Sequence, residues 1–407
     1  MLLKSTILEV FEYQKQRLLQ SRKHETIRNM LQHIKSDIPF IHIITGIRRC
    51  GKSTLLKQFT KKTGDNFFYL NFEDPKLTGF EINDFNKIKE LKKDKKLAFD
   101  WWFFDEIQNI NNWEKFIRSG HDEGTKIVLT GSNASLLSRE LGSRLTGRHF
   151  SYELYPFSYD EFLRFKNLQP GKKSFNAYML YGGFPEYLKY EEEDILTRLL
   201  DDIIYRDIAA RHNIRNDSLL RELTVYLLSN AGNLFTYNSL KKTFSSGSAN
   251  TIIDYISCLA DAYLIFTVPK FDYSLKKQIG NARKIYGIDT GLANVASIRF
   301  SNDFGRQLEN LVFLYLKRQG GEIYYFQGKN ECDFIIKKKN EIAHIIQVCY
   351  ALTYDNMERE LAGLEEAMNF FNTDKGVLIA LDDEDKFTKK GLTINIVPAY
   401  KWMANGG

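Results

Sequence analysis

Gly46, Ile47, Arg48, Arg49, Cys50, Gly51, Lys52 and Ser53 follow the spacing Gly-x-x-x-x-Gly-Lys-Ser. That set suits a phosphate. The glycines let backbone N–H groups curl around it with no Cβ in the way. A lysine at this position reaches the β- and γ-phosphates of a nucleotide, and the serine hydroxyl is a ligand for Mg2+. Thr54, next in the chain, is counted with the loop as a nucleotide contact. Further on, Trp101-Trp102-Phe103-Phe104 runs into Asp105-Glu106. Asp105 is expected to order the Mg2+ shell and Glu106 to polarise the attacking water. Taken alone, such a pair also fits a carboxylate capping the next helix.

Two more segments carry candidate catalytic groups. Thr130-Gly131-Ser132-Asn133 places a polar tip after an apolar run, and Asn133 is expected to position the water. Arg144 and Arg148 lie within Leu141–Arg148. Either arginine suits the charge that builds on a transferring phosphoryl group, and either also fits a surface ion pair.

These groups need elements to hold them. Ile41–Thr45 reads as a buried strand entering the loop, and Lys52–Thr60 as the helix leaving it. Phe67–Leu70, Trp101–Phe104 and Lys126–Thr130 read as further strands. Strands alternating with helical segments predict a parallel sheet with crossover helices. Residues 5–35 carry apolar positions at helical spacing before Pro39. After about residue 155 the pattern changes, with helical segments at Phe157–Phe165 and Asp194–Ala210. From Gln307 the order is helix, strand, strand, helix, strand.

The bulk numbers agree with several packed domains. The chain has 407 residues, 43% hydrophobic and 14% aromatic, which excludes a mainly disordered protein. A net charge of +6 mildly favours a polyanionic partner. The 4 cysteines, Cys50, Cys258, Cys332 and Cys349, form no Cys-x-x-Cys pair, which argues against zinc. A thiol inside the phosphate loop points to a reducing, cytoplasmic compartment. The first residues lack the apolar core of a signal peptide, and no apolar run approaches a membrane span.

Phe68–Asp74 (FYLNFED), Phe104–Asn109 (FDEIQN), Leu129–Ser132 (LTGS), Leu145–Arg148 (LTGR), Leu154–Phe157 (LYPF), Tyr181–Pro185 (YGGFP) and Lys284–Leu292 (KIYGIDTGL) carry a resemblance. They resemble the bacterial and archaeal AAA-type, STAND-like P-loop ATPases with a C-terminal domain of unknown function. The resemblance covers almost the whole chain. It implies an α/β fold: a P-loop NTPase parallel sheet, a helical lid, a winged helix and a restriction-endonuclease-like α/β domain. It further implies that Pro185 belongs to a lid motif packing near the adenine. The expected domains are 1–155, 156–215, 216–300 and 301–407.

The middle and tail can also be read from their residues. Phe235 and Leu240 are expected in a short helix, and Thr251–Leu259 resembles a recognition helix. Lys270, Lys276, Lys277, Arg283 and Lys284 would fill a basic wing suited to the phosphates of double-stranded DNA. In the tail, Glu309, Asp333 and Gln347 match the acidic positions of endonuclease-like folds, but Cys349 stands where the lysine belongs. A thiol is neither a hard-metal ligand nor a cation, so this site reads as degenerate. The expected function is an ATP- and Mg2+-dependent switch that hydrolyses ATP slowly and relays its state to the tail. An ATP-gated nuclease and a DNA- or protein-binding scaffold with structural nucleotide are the alternatives. An oligomer is compatible with either arginine acting from a neighbouring chain.

Overall fold

The computed structural model describes residues 1–20, 25–64, 66–93, 99–133, 148–297, 303–389 and 391–404. They divide into two compact units: 1–155 with 261–263, and 156–260 with 264–407.

The first unit holds a five-stranded sheet. Its strands are β1 (Ile41–Thr45), β2 (Phe67–Asn71), β3 (Trp101–Asp105), β4 (Lys126–Gly131) and β5 (His149–Glu153). The order is β2-β3-β4-β1-β5, and every pairing is parallel. A parallel sheet is covered on both faces, which is why β3 is apolar without a break from Trp101 to Phe104. Trp101 and Phe103 pack against Phe59 on one face. Trp102 and Phe104 meet Phe116 on the other. The register sets Thr45 beside Gly131 and Asn71 beside Asp105, so the polar strand ends share one edge. β5 was not foreseen. Its sequence, His-Phe-Ser-Tyr-Glu, alternates polar and apolar residues as an edge strand does. At the N-terminus, Lys4–Leu19 is a helix and Asn29–Gln32 a short 3-10 turn.

The second unit begins with helices at Tyr159–Lys166, Lys172–Tyr181, Pro185–Tyr190 and Glu193–Asp201. The last continues as a π-helical stretch, Asp202–Ala209. Helix Asp217–Ser229, strand β6 (Leu234–Phe235), helices Tyr237–Thr243 and Ala249–Asp261, and strands β7 (Ile265–Pro269) and β8 (Arg283–Gly287) follow. The three strands pair antiparallel in the order β6-β8-β7.

Two expectations change here. Phe235 lies in β6 and not in the helix, because Thr236 caps the helix start in a reciprocal capping box with Ser239. The stretch between β7 and β8 is not a plain extended wing, since Leu275–Gly280 is helical.

The tail adds helix Phe304–Gln319 and strands β9 (Glu322–Gln327), β10 (Glu331–Lys338) and β11 (Glu341–Cys349). Helix Tyr354–Phe370 leads to β12 (Lys375–Ala380), β13 (Asp385–Lys389) and β14 (Leu392–Pro398). The sheet order is β13-β14-β12-β11-β10-β9. Among the described residues, no helix is long and apolar enough to cross a membrane.

Candidate nucleotide site and an acidic centre

The loop after β1 is built around tight contacts. Gly46 has φ +154°, and a Cβ there would sit 2.1 Å from the Leu154 carbonyl oxygen. Only glycine lets the chain pass. Behind the loop lies Arg28, 2% exposed. Its guanidinium donates to the carbonyls of Cys50 and Tyr155, each at 2.6 Å. This arginine was missed in the sequence. Its only signal was a cation within an apolar-periodic stretch.

Lys52 opens the helix Lys52–Thr63 and is 5% exposed. Its ammonium donates to the carbonyls of Gly46 at 3.1 Å and Ile47 at 3.3 Å, and lies 3.3 Å from Glu106 Oε1. Burial opposes its charge, but the Glu106 carboxylate together with the neighbouring Cys50 and Asp105 outweighs that and holds the lysine above its ordinary range.

Asp105, at the end of β3, is fully buried. It accepts hydrogen bonds from the hydroxyls of Tyr69 at 3.0 Å, Thr130 and Ser53. Burial and then the neighbouring Glu106 charge raise its carboxyl. Glu106 moves the other way: despite burial, Lys52 and the Gln108 amide hold it below the usual range. The Glu106 backbone sits at φ +53°, an uncommon conformation for this residue type, and its N–H donates to Thr130 Oγ1 at 3.1 Å.

Lys52, Ser53, Asp105 and Glu106 therefore meet at one edge of the sheet. Thr54 lines a cleft of about 800 Å³ with Ser53, Tyr69 and Asn71. Arg48 reaches sideways to Glu73 at 3.2 Å, Arg49 is exposed, and Cys50 is buried. Asn133 is 2% exposed and lies two residues past Gly131, the partner of Thr45.

Arg148 is not brought to this edge. It precedes β5, where its carbonyl accepts from Ile41 N at the far end of β1, and its side chain pairs with Asp122 at 3.4 Å. Arg144 lies outside the described residues.

In the second unit the YGGFP and IDTGL segments form one joint. Asp289, 3% exposed, accepts from Gly183 N at 2.6 Å and Leu292 N at 2.9 Å. The Gly183 carbonyl takes the Phe157 N–H at 2.8 Å, and a Cβ on Gly183 would lie 2.3 Å from the Phe157 carbonyl oxygen. Pro185 is the first residue of the next helix. Asp289→Ala leaves two buried N–H groups unpaired, so a loss of about 2–4 kcal/mol is expected in urea unfolding. Burial lifts the Asp289 carboxyl from 3.8 to about 6. The folded state thus binds this proton more tightly, and the group's contribution to stability falls as pH rises through that window. The variant should lose that slope; an unchanged midpoint and slope would refute the joint.

The tail centre departs from expectation. Glu309 and Asp333 do converge, but on Lys284 of β8. Its ammonium lies 2.9 Å from Glu309 Oε1, 2.8 Å from Asp333 Oδ1 and 2.6 Å from Glu331 Oε1. Lys284 is 1% exposed, so it is not part of a DNA-facing wing. The Gln347 side-chain carbonyl accepts from Asp333 N at 3.2 Å, and its amide N–H donates to Glu360 at 2.8 Å. Cys349 turns aside, its thiol donating to the Ala351 carbonyl.

Residues 39–163 match the model of an AAA domain, and residues 172–303 match a domain of unknown function, DUF8612. The chain is 38% identical over 397 residues to an uncharacterised protein of Methanocaldococcus jannaschii, covering 89% of this chain and 88% of that one. It is 31% identical over 344 residues to an uncharacterised protein of Haemophilus influenzae, covering 80% and 86%. The chain belongs to the family that these archaeal and bacterial proteins share.

Among solved structures, it is similar to a signal transduction ATPase with a tetratricopeptide repeat sensor from Pyrococcus horikoshii. The identity is 14%, the coverage 74% of this chain and 47% of that chain, and the TM-score 0.31. For the Thermotoga maritima RuvB Holliday junction branch migration motor the identity is 17%, the coverage 65% and 88%, and the TM-score 0.30. Family membership rests on the sequence relatives.

Proposed function

We propose that this chain is an ATP-binding switch of AAA type that hydrolyses ATP slowly. One observation carries the reading: Lys52, Ser53, Asp105 and Glu106 meet at the edge where β1 and β3 end. Ser53 and Asp105 would hold Mg2+, since they are hard oxygen donors already joined by a hydrogen bond. The ion, when bound, neutralises phosphate charge and fixes the reacting oxygens.

Lys52 leaves the Gly46 and Ile47 carbonyls for the β- and γ-phosphates. Glu106 loses its cation in that exchange and becomes free to accept a proton from water. Asn133 orients that water. This masking of the base by Lys52 supports slow turnover. An arginine that stabilises the transferring phosphoryl group comes from Arg144 or from a neighbouring chain, which makes an oligomer part of the reading.

In the second unit, the order helix, β6, two helices, β7, short helix Leu275–Gly280 and β8 supports a winged helix. The tail's helix, strands β9–β11, helix Tyr354–Phe370 and strands β12–β14 support a nuclease-like fold whose acidic centre is degenerate. In this reading the nucleotide state passes to both through the lid.

Purified protein should turn over ATP with Mg2+ and stop in EDTA. No turnover in Mg2+, with or without duplex DNA, would overturn the switch reading in favour of a structural nucleotide. Stimulation by duplex DNA that falls steeply with salt would assign the exposed Lys276 and Lys277 to phosphate contacts.

A further inference from the structure

The endonuclease-like pattern led to an expected acidic centre with no cation at position 349. The cation enters from another element. Lys284 and Tyr286 alternate on β8 and so share one face of that strand. Both reach Glu309 Oε1, the ammonium at 2.9 Å and the phenol at 2.7 Å. We infer that Lys284 is the resident cation of this centre: its ammonium takes the place of a divalent ion and latches β8 to the tail sheet.

The hydrogen-bond count supports this. A lysine ammonium has three N–H donors and no acceptor. Three carboxylates, Glu309, Glu331 and Asp333, stand within 2.6–2.9 Å of it. Two further oxygens near the centre are also committed. Asp333 Oδ2 accepts from Val348 N at 2.9 Å, and Gln347 Oε1 from Asp333 N at 3.2 Å. Mg2+ demands near-octahedral oxygens at about 2.1 Å, and the carboxylate oxygens that face Lys284 could meet it only by giving up bonds already made. Among the described residues, no group of three or more His, Cys, Asp or Glu side chains is arranged to hold a metal.

The charges explain why the lysine stays. Burial disfavours its ammonium, but Asp333, Glu309 and Glu331 outweigh that and raise it well above the ordinary lysine range. Burial and the Asp333 charge lift Glu309 to about 7, which tempers the excess of three carboxylates over one cation. Beside the centre, a cleft of about 640 Å³ is lined by Glu309, Glu331, Asp333, Gln347 and Arg359. An ion from solvent has a route in, so the lysine, not inaccessibility, keeps the centre metal-free. The inference stands on the second unit alone and does not rest on the nucleotide reading.

The test is Mn2+ binding to the full chain without nucleotide, followed by electron paramagnetic resonance, with melting curves in EDTA and in Mn2+. Wild type and Asp333→Asn should titrate alike, and the wild-type melting point should not respond to Mn2+. Lys284→Met keeps the stem and removes the charge. It should melt lower in EDTA, recover in Mn2+, and bind Mn2+ at least tenfold more tightly than wild type. Adding Asp333→Asn should erase that gain. The inference is overturned if wild-type Mn2+ binding is lost in Asp333→Asn, or if Lys284→Met folds and gains no Mn2+ affinity. Should Lys284→Met not fold, the wild-type and Asp333→Asn titrations decide by themselves. Cleavage of duplex DNA by wild type with Mg2+ or Mn2+, lost in Asp333→Asn, also overturns it.

Discussion

Glu106→Gln should bind ATP as tightly as the parent and lose turnover by at least ~100-fold, the usual scale for removing a general base. The amide keeps the shape of the side chain. It also keeps an oxygen for the Lys52 ammonium, now 3.3 Å from Glu106 Oε1. Ser53 and Asp105 are untouched, so the pair proposed to hold the metal survives. What disappears is the group that takes a proton from water. The low proton affinity of Glu106 in this state, imposed by Lys52 and Gln108 against burial, makes it a poor base until Lys52 moves. Single-turnover measurements with saturating ATP separate the steps. Hydrolysis at the parent rate would remove Glu106 from the mechanism, and equal losses in binding and rate would mark it as a structural residue.

Lys52→Ala should weaken ATP binding at least tenfold, about 1.4 kcal/mol. The lysine is buried, and its three contacts are the Gly46 and Ile47 carbonyls and the Glu106 carboxylate. Phosphate oxygens are stronger acceptors than neutral carbonyls, so the ammonium gains by moving to them. The variant also leaves Glu106 without its cation in a buried site. Loss of binding should therefore come with a pH dependence absent from the parent, because an unpaired buried carboxylate binds a proton more readily. Fluorescent nucleotide titration across pH reads both effects. Unaltered affinity would mean that the phosphates sit elsewhere.

Much of the candidate nucleotide site was legible because it is local. Gly46 to Ser53 is one continuous segment between a strand and a helix, and the spacing alone places the lysine and hydroxyl at the turn. The Trp101–Phe104 run announced a strand buried on both faces, and Asp105-Glu106 had to fall at its end. Strand alternation likewise gave Gln347 and Cys349 a common face. Even so, Cys349 turned to the Ala351 carbonyl, because a buried thiol bonds whatever acceptor is nearest.

Contacts between distant segments were decided by the tertiary structure. β5 fell at the sheet edge and carried Arg148 to the far end of β1, since parallel register aligns Ile41 with His149. Arg28 came to lie behind the loop and holds it by two carbonyls. Asp289 tied Gly183 to Leu292, which explains the YGGFP and IDTGL segments as one joint.

Lys284 shows the division most clearly. In the sequence it is one cation in a basic stretch, and basic stretches usually face solvent. In the fold, β8 is the central strand of its sheet, and its inward face meets helix Phe304–Gln319 and β10. Composition sets how many charges a segment carries. The face a strand buries decides whether such a charge meets water, a phosphate or three carboxylates, because only partners brought within hydrogen-bond reach can offset the cost of burying it.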